Sequence, residues 1–464
     1  MNSDTVADLI IDHIREKPLT RPIDAVHHFK ANYGLTITYH HAWWGIERAR
    51  NKLYGDSSLS FDHLRWYIKV AEEVNPGSLF VLDYDQSTKC FKRLFVCFYA
   101  SMAGFNHVRP LLFLVGTFLK CRYKGNLLAA IGKNGNQGLF PLAFAMVDLE
   151  TEDNWTWFMQ NLRKVIFSDR TITFISDRNP GLIEAVSRVF PFAHHAYCLQ
   201  HLKANLRDKL SGGYTNEFRE RMIMMLRECA YAPTIAAFHA KLQSLRREGG
   251  SNVDRFICGL PHKRWSNAYF KGQRYGEMCS NAAESFNSWI RKARHLPITK
   301  LVDTIRVQIM DQMANRKEVS SRWKSVICLD MDKRLDAAIR LGRTWTVSRS
   351  SETVYNVHSY PSVTVDIFNQ ICSCYQWQIN GFPCAHACAA IQKSGKDLNV
   401  FVDHYFHTHT FRASYDEQIY PIPTVGMPEP TIAETVILPP VVKRPAGRPK
   451  KKRGSCQEGR SYGR

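Results

Sequence analysis

The chain has 464 residues, 45% of them hydrophobic and 22% charged, with a formal net charge of +20. That length suits two or three domains and that composition fills a large core, which excludes a fibrous or wholly disordered chain. Nine Lys/Arg and one Glu follow residue 440, leaving +12 over residues 1–440, so the basic balance also favours a polyanionic partner, most simply nucleic acid. Met1–Arg15 mixes acids with short apolar runs, so no secretory signal is read there. No run approaches the roughly twenty apolar residues of a membrane span. The 13 cysteines are expected in a reducing compartment, as metal ligands or buried thiols.

Residues 1–74 read as helical: apolar residues recur at three and four in the runs beginning at Thr5, Pro22, His40 and Phe61. Asn75-Pro76-Gly77 breaks the pattern. Strand signals follow in Ser78–Tyr84, Phe91–Ala100, Pro110–Thr117, Gly125–Gly132 and Phe140–Val147, with a turn at Asn134-Gly135-Asn136. Glu152–Val165 carries Trp155, Phe158 and Leu162 at helical spacing, Ile172–Ile175 is a buried strand, and a helix begins after Asp177. Strands in series, then helix, strand and helix, describe an α/β mixed sheet with helices packed on it. Residues 203–270 are basic and helical, an insertion. Ser280 opens a further helix that Pro297–Arg306 extends.

Two carboxylates stand out. Asp177 ends a buried strand, where a rigid support meets solvent and a metal could bind; the same position also suits a helix N-cap. Glu284 lies three before Asn287, so both share a helix face; a glutamate in a first turn is ordinarily a dipole or capping residue.

The stretches Asn75-Pro76-Gly77, Gly116-Thr117-Phe118-Leu119-Lys120, Lys124-Gly125-Asn126-Leu127-Leu128 and Phe140-Pro141-Leu142-Ala143-Phe144-Ala145 occur in that order. Trp155-Thr156-Trp157-Phe158, Ser176-Asp177-Arg178, Cys198-Leu199-Gln200-His201 and Ser280-Asn281-Ala282-Ala283-Glu284 continue the series. Together, residues 60–310 resemble the transposase domain of plant Mutator-like elements, the MULE or MuDR family. The resemblance implies a ribonuclease H-like fold of the DDE transposase type, with a helical insertion, over residues 75–330. It also implies Mg²⁺-dependent cleavage and transfer of DNA strands. Asp177 matches the second acid, Glu284 the third, and Cys198 with His201 the family's C-x-x-H signature. Val115 stands where the family has its first acid, and an isopropyl group cannot ligate Mg²⁺. Asp83 and Asp85, from a neighbouring strand, are read as ordinary strand-end acids.

After a linker at 331–350, residues 351–400 hold Cys372-Ser373-Cys374 and, beyond Asn380-Gly381, Cys384-Ala385-His386. Two cysteines on one strand face, a turn, and a Cys/His pair opening a helix suit a closed tetrahedral Zn²⁺ site. The pattern resembles the SWIM zinc finger, a small ββα unit. Cys388 is expected to be a buried helix residue, and the remaining cysteines show no paired spacing.

Residues 401–464 are expected to be an extended linker and a disordered basic tail. Arg444, Gly447, Arg448, Pro449, Lys450, Lys451, Lys452 and Arg453 resemble an AT-hook, with DNA as partner, and Lys450–Arg453 also reads as a nuclear localisation signal. Three functional readings stay open: a catalytically inactive Mutator-derived DNA-binding protein of the nucleus, an active transposase with a displaced first ligand, and a protein-interaction module working through the SWIM finger or as a homo-oligomer.

Overall fold

The computed structural model describes residues 2–167, 169–425 and 437–440. The N-terminal helices α1 (Ser3–Glu16), α2 (Pro22–Tyr33) and α3 (Tyr39–Tyr54) form a bundle with its own small core of Val6, Ile10, Ile14, Phe29 and Ile46. Local chemistry sets their ends. Asn2 and Thr38 side chains cap α1 and α3, Pro22 opens α2, and Gly34 closes it with φ of 65°. Gly45 lets α3 lie against α1, since a Cβ there would meet Val6 Cγ1 at 2.3 Å.

α4 (Leu59–Val74) leads into β1 (Leu79–Tyr84) and β2 (Phe91–Cys97), followed by α5 (Tyr99–Phe105). Then come β3 (Leu111–Phe118), β4 (Asn126–Lys133), β5 (Leu139–Val147), α6 (Glu152–Val165), β6 (Thr173–Ser176), α7 (Pro180–Val189) and β7 (His194–Tyr197). The seven strands form one mixed sheet in the order β1-β2-β5-β4-β3-β6-β7. β3 to β5 are an antiparallel meander, while β6 and β7 run parallel to β3. β4 and β5 are almost wholly buried, which explains their continuous apolar sequences.

Two elements of the sheet domain differ from the sequence reading. Tyr99 and Ala100, read as the end of a strand, instead open helix α5: Phe91–Cys97 supplies the strand and the small Ala100, Ser101 and Gly104 pack as a helix face. Gly104 is close to the C-terminal segment, and a Cβ there would meet the Ser414 carbonyl oxygen at 2.3 Å. β7 went unread because His194-His195-Ala196-Tyr197 lacks an apolar signature, although three of the four are buried.

The insertion comprises α8 (Leu199–Lys209), α9 (Asn216–Tyr231) and α10 (Ile235–Cys258), packed around Phe238 and Trp265 as a separate core. The next helix is two helices, α11 (Asn281–Trp289) and α12 (Ile298–Ser321), separated by a 3₁₀ turn at Ala293–His295, with Pro297 at the N-cap of the second. Residues 331–350, expected as a linker, are structured as α13 (Leu329–Gly342) and β8 (Thr346–Arg349).

β8 joins β9 (Val354–His358), β10 (Val363–Asp366) and β11 (Ile371–Cys372) in a four-stranded antiparallel sheet. α14 (Gln376–Asn380) and α15 (Ala385–Ser394) complete that unit, which is larger than the expected ββα finger. The stretch 401–425, expected as extended linker, turns back onto the main core through α16 (Thr408–Ala413). Its anchors are Phe406, Phe411 and Tyr415, and Asn134 Nδ2 donates to the buried Tyr415 hydroxyl at 2.8 Å. The basic residues Arg444 to Arg453 lie outside the described residues.

Candidate functional site

β6 is buried along its whole length and is followed by Asp177, which is partly exposed. Asp177 is not the cap of α7. That role belongs to Asn179, whose Oδ1 accepts from Leu182 N at 3.2 Å; Asp177 Oδ1 accepts only from Asn179 N, at 3.1 Å. β3 pairs with β6 from Leu111–Thr173 to Phe113–Ile175. Extended two residues beyond the last pair, one past the end of β6, that register brings Val115 level with Asp177 on the same face of the pleat.

Glu284 sits in the first turn of α11, which buries Ala282, Ala283 and Phe286 across β3, β4 and β5 and leaves the carboxylate exposed. Cys198 occupies the N-cap position of α8, with His201 one turn on. The Ser280 amide donates to Cys198 Sγ at 3.2 Å, tying α8 to the residue that precedes α11. Cys279 and His201 lie beside the Cys198 sulfur, and their proximity holds its pKa well below the usual thiol range. The same contact raises the His201 pKa, and the charges of Asp177 and Glu284 raise it further. Asp177 and Glu284 are therefore both within electrostatic reach of His201, which lies beside Cys198. The Cys198–Cys279 contact has no counterpart in sequence spacing, since the two lie in different segments.

A further carboxylate was missed. Glu150 Oε1 accepts from Trp155 Nε1 at 3.2 Å and Asn179 Nδ2 at 3.0 Å. Burial raises its pKa, and the Asp177 charge adds to the shift. Its carboxylate covers Gly116, where a Cβ would meet Glu150 Oε2 at 2.7 Å. Alternation along β3 turns position 116 away from the face of position 115, so Glu150 reaches the reverse side of the strand from Val115. Its signal was the run Asp148-Leu149-Glu150-Thr151-Glu152-Asp153, where acids crowd a strand-to-helix turn. Asp83 and Asp85 are remote. β1 lies four strands from β3, roughly 19 Å at 4.8 Å per strand, and Asp83 pairs with Arg93 Nε at 2.8 Å.

Behind the locus, His195 Nε2 meets Ser176 Oγ at 2.8 Å. Burial, then repulsion from Arg264, pushes its pKa down to about 3. The unfolded chain protonates this ring near pH 6.5 and the folded chain resists, so the stability it contributes is lost as pH falls from about 6.5 towards 3. In urea titrations, the wild type is expected to lose stability between pH 6 and 4 more steeply than His195→Gln, by about 1.4 kcal/mol per pH unit. Equal slopes would show that His195 is not held neutral.

The second site is the finger. Cys372 ends β11, but Cys374 lies beyond it, so the two cysteines do not share a strand face as expected. Tyr375 turns the chain with φ of 62° into α14, and Gly381, also at 62°, ends that helix. The chain bends round the site as a knuckle instead. The ligand atoms of Cys372, Cys374, Cys384 and His386 all lie within 4.8 Å of one another, the only such Cys/His/Asp/Glu group among the described residues. Cys374 and Cys384 sulfurs are 3.5 Å apart, and His386 Nδ1 is 3.9 Å from the sulfurs of Cys372 and Cys384. Zn–S bonds of about 2.3 Å give tetrahedral edges of roughly 3.8 Å, so the donor set fits zinc. The His386 ring stacks on Trp345 at 4.5 Å, which fixes its plane. Cys388 is buried in α15, with burial pushing its pKa to about 12.

The finger docks on the segment that leads to Glu284. Gln273 Nε2 donates to the Gln378 carbonyl at 2.9 Å, and Gly276 N to that of Ile379 at 3.1 Å. A Cβ at Gly276 would meet Asn380 Oδ1 at 2.3 Å.

Residues 111–205 match the MULE transposase domain and residues 361–395 the SWIM zinc finger, so the chain carries both. In particular it is similar to plant FAR1-related proteins of Arabidopsis thaliana. It is 23% identical to Protein FAR1-RELATED SEQUENCE 7 over 34% of this chain and 21% of that protein. It is 21% identical to Protein FAR-RED IMPAIRED RESPONSE 1 over 53% of this chain and 29% of that protein. To Protein FAR1-RELATED SEQUENCE 12 it is 24% identical over 33% and 19%. The chain thus matches less than a third of the length of each of these relatives. No described helix is long and apolar enough to cross a membrane.

Proposed function

We propose that this transposase-derived, zinc-binding chain is a nuclear protein that binds DNA and does not cut it. The observation that carries the reading is Val115, level with Asp177 on the shared face of β3 and β6. The order β5-β4-β3-β6-β7, with its antiparallel meander and two parallel strands, supports a ribonuclease H-like frame. In a two-metal site the first carboxylate bridges ions about 3.5–4 Å apart, and valine offers no oxygen there. Glu150, whose charge is coupled to Asp177, is engaged by Trp155 and Asn179 on the reverse face. A second reading, an active enzyme with a displaced ligand, draws on the electrostatic coupling of Glu150 to Asp177. Incubation of the chain with terminal-repeat DNA and Mg²⁺ or Mn²⁺ decides between them. No nicking is expected; metal-dependent nicking abolished by both Asp177→Ala and Glu150→Gln would establish the second reading.

DNA binding is expected to draw on the tail. Deleting residues 441–464 removes a net charge of +8, and should weaken affinity for any duplex, flatten its salt dependence and reduce nuclear entry. An unchanged slope and unchanged nuclear entry would refute the role assigned to Arg444, Arg448 and Lys450 to Arg453.

A further inference from the structure

The far end of β3 carries a second concentration of charge. Beyond Val115 and Gly116 the strand runs to Phe118, and Lys120, Arg122 and Lys124 follow in an exposed loop. Arg291 and Lys292 are exposed in the turn after α11. The two segments are stitched together: Lys120 N donates to the Arg294 carbonyl at 2.8 Å, and Arg294 Nη1 donates to Thr117 Oγ1 at 2.6 Å. Arg291 follows directly on the C-cap of α11, the helix whose first turn carries Glu284. The cations therefore follow the C-terminal ends of β3 and of α11, the strand of Val115 and the helix of Glu284.

Among the described residues none of these six cations forms an ion pair, in contrast to the insertion, where Arg207, Arg221, Lys241 and Arg246 are each matched by an acid. Like charges face one another instead. Arg291 lowers the Arg294 pKa, after the larger effect of burial, and Arg294 Nε is buried without a partner. His295 is driven to about 4 by burial and then by Arg50, Arg294 and Lys120. The carboxylate within electrostatic reach of Arg122 is Asp56, which is occupied by Ser58 and the Leu59 amide. Phe118 stands 66% exposed amid the charges, with Lys120 Nζ 5.9 Å from its ring centroid. Folding leaves such self-repulsion uncompensated; a polyanion would relieve it.

We propose that the loop 120–124 and the turn 291–294 grip the phosphate backbone of duplex DNA beside the Asp177–Glu284 locus. This rests on the DNA-binding reading and adds to it a folded contact surface, separate from the tail. Phosphate contacts of this kind position a duplex without reading its sequence.

The test is fluorescence anisotropy of a labelled duplex with the full chain over a range of salt concentrations. The variants are Lys120→Glu/Arg291→Glu/Lys292→Glu and a neutral set with glutamine at the same positions. A control carries Lys209→Glu/Lys333→Glu, away from the patch. Losing three phosphate contacts should lower the slope of log affinity against log salt by roughly 2.7 and weaken binding about tenfold or more at low salt, with zinc content unchanged. The glutamine set should show the same change of slope if the glutamate set fails to fold. A triple variant that binds like the wild type while the wild type itself binds DNA overturns the surface and spares the DNA-binding reading. A wild-type chain that binds no DNA overturns both. Equal losses in the control variant would mean a diffuse charge effect and also overturn it.

Discussion

Cys374→Ser is expected to abolish stoichiometric zinc and to loosen the chain well beyond the finger. Cys374 lies outside β11: Ser373 N still donates to the Thr364 carbonyl of β10 at 2.9 Å, but the Cys374 side chain beyond it would be fixed by the metal through its sulfur. Structural zinc sites supply roughly 10–16 kcal/mol in finger peptides near neutral pH, far more than the small core around Trp377, Val357 and Val365 can replace. With the metal gone, the thiols of Cys372 and Cys384, the new hydroxyl and the His386 imidazole remain packed side by side without the ion that joined them. α14 would then lose its fixed start, and with it the carbonyls of Gln378 and Ile379 that hold Gln273 and Gly276. Those residues lead to Ser280, whose amide meets Cys198. Metal analysis should fall from one zinc per chain to none, and hydrogen exchange should rise both at 372–386 and at 273–280. Full zinc retention would refute the ligand set. Zinc loss with unchanged exchange at 273–280 would show that the finger and the sheet domain are energetically independent.

What the sequence disclosed follows from which signals are local. β3, β4 and β5 were legible because burial on both faces demands long apolar runs, and α6 because Trp155, Phe158 and Leu162 recur at the helical period. The zinc ligands were legible as residue types, since soft thiolates at short spacing have few other uses. Their backbone was not: two residues of strand followed by a left-handed Tyr375 is a tertiary outcome, and alternation alone placed Cys374 on the wrong element. β7 failed for a related reason. Its burial comes from β6 and the insertion beside it, and two histidines give no hint of that. The gathering of Cys198, Cys279 and Ser280 joins segments that only the sheet and insertion bring together. The side of β3 that Glu150 covers could be decided only by knowing which face each strand residue presents.

That parity underlies the last expectation. Val115→Asp is expected to create the metal-dependent strand cleavage that we propose the native chain lacks. The substitution places a carboxylate level with Asp177, on the face shared by β3 and β6, with Glu284 presented by α11 and all other backbone unchanged. Val115 is only partly buried, so the new charge meets solvent and metal rather than a closed apolar core. A bridging carboxylate permits a second ion, and with it charge stabilisation at both the attacking and the leaving oxygen, worth several kcal/mol. Each 1.36 kcal/mol is tenfold in rate, so a gain of about a thousandfold over the native chain is the expected scale. Val115→Asn serves as the control: it matches the shape and polarity but lacks the charge that holds two divalent ions. Isothermal titration with Mn²⁺ should show a tighter binding event in Val115→Asp than in either the native or the Asn chain, and terminal-repeat DNA should be nicked only by the former. Tighter Mn²⁺ binding without nicking would confine the defect to DNA engagement. No gain in Mn²⁺ affinity would mean that position 115 does not face Asp177, and valine at that position would no longer explain a chain that does not cut DNA.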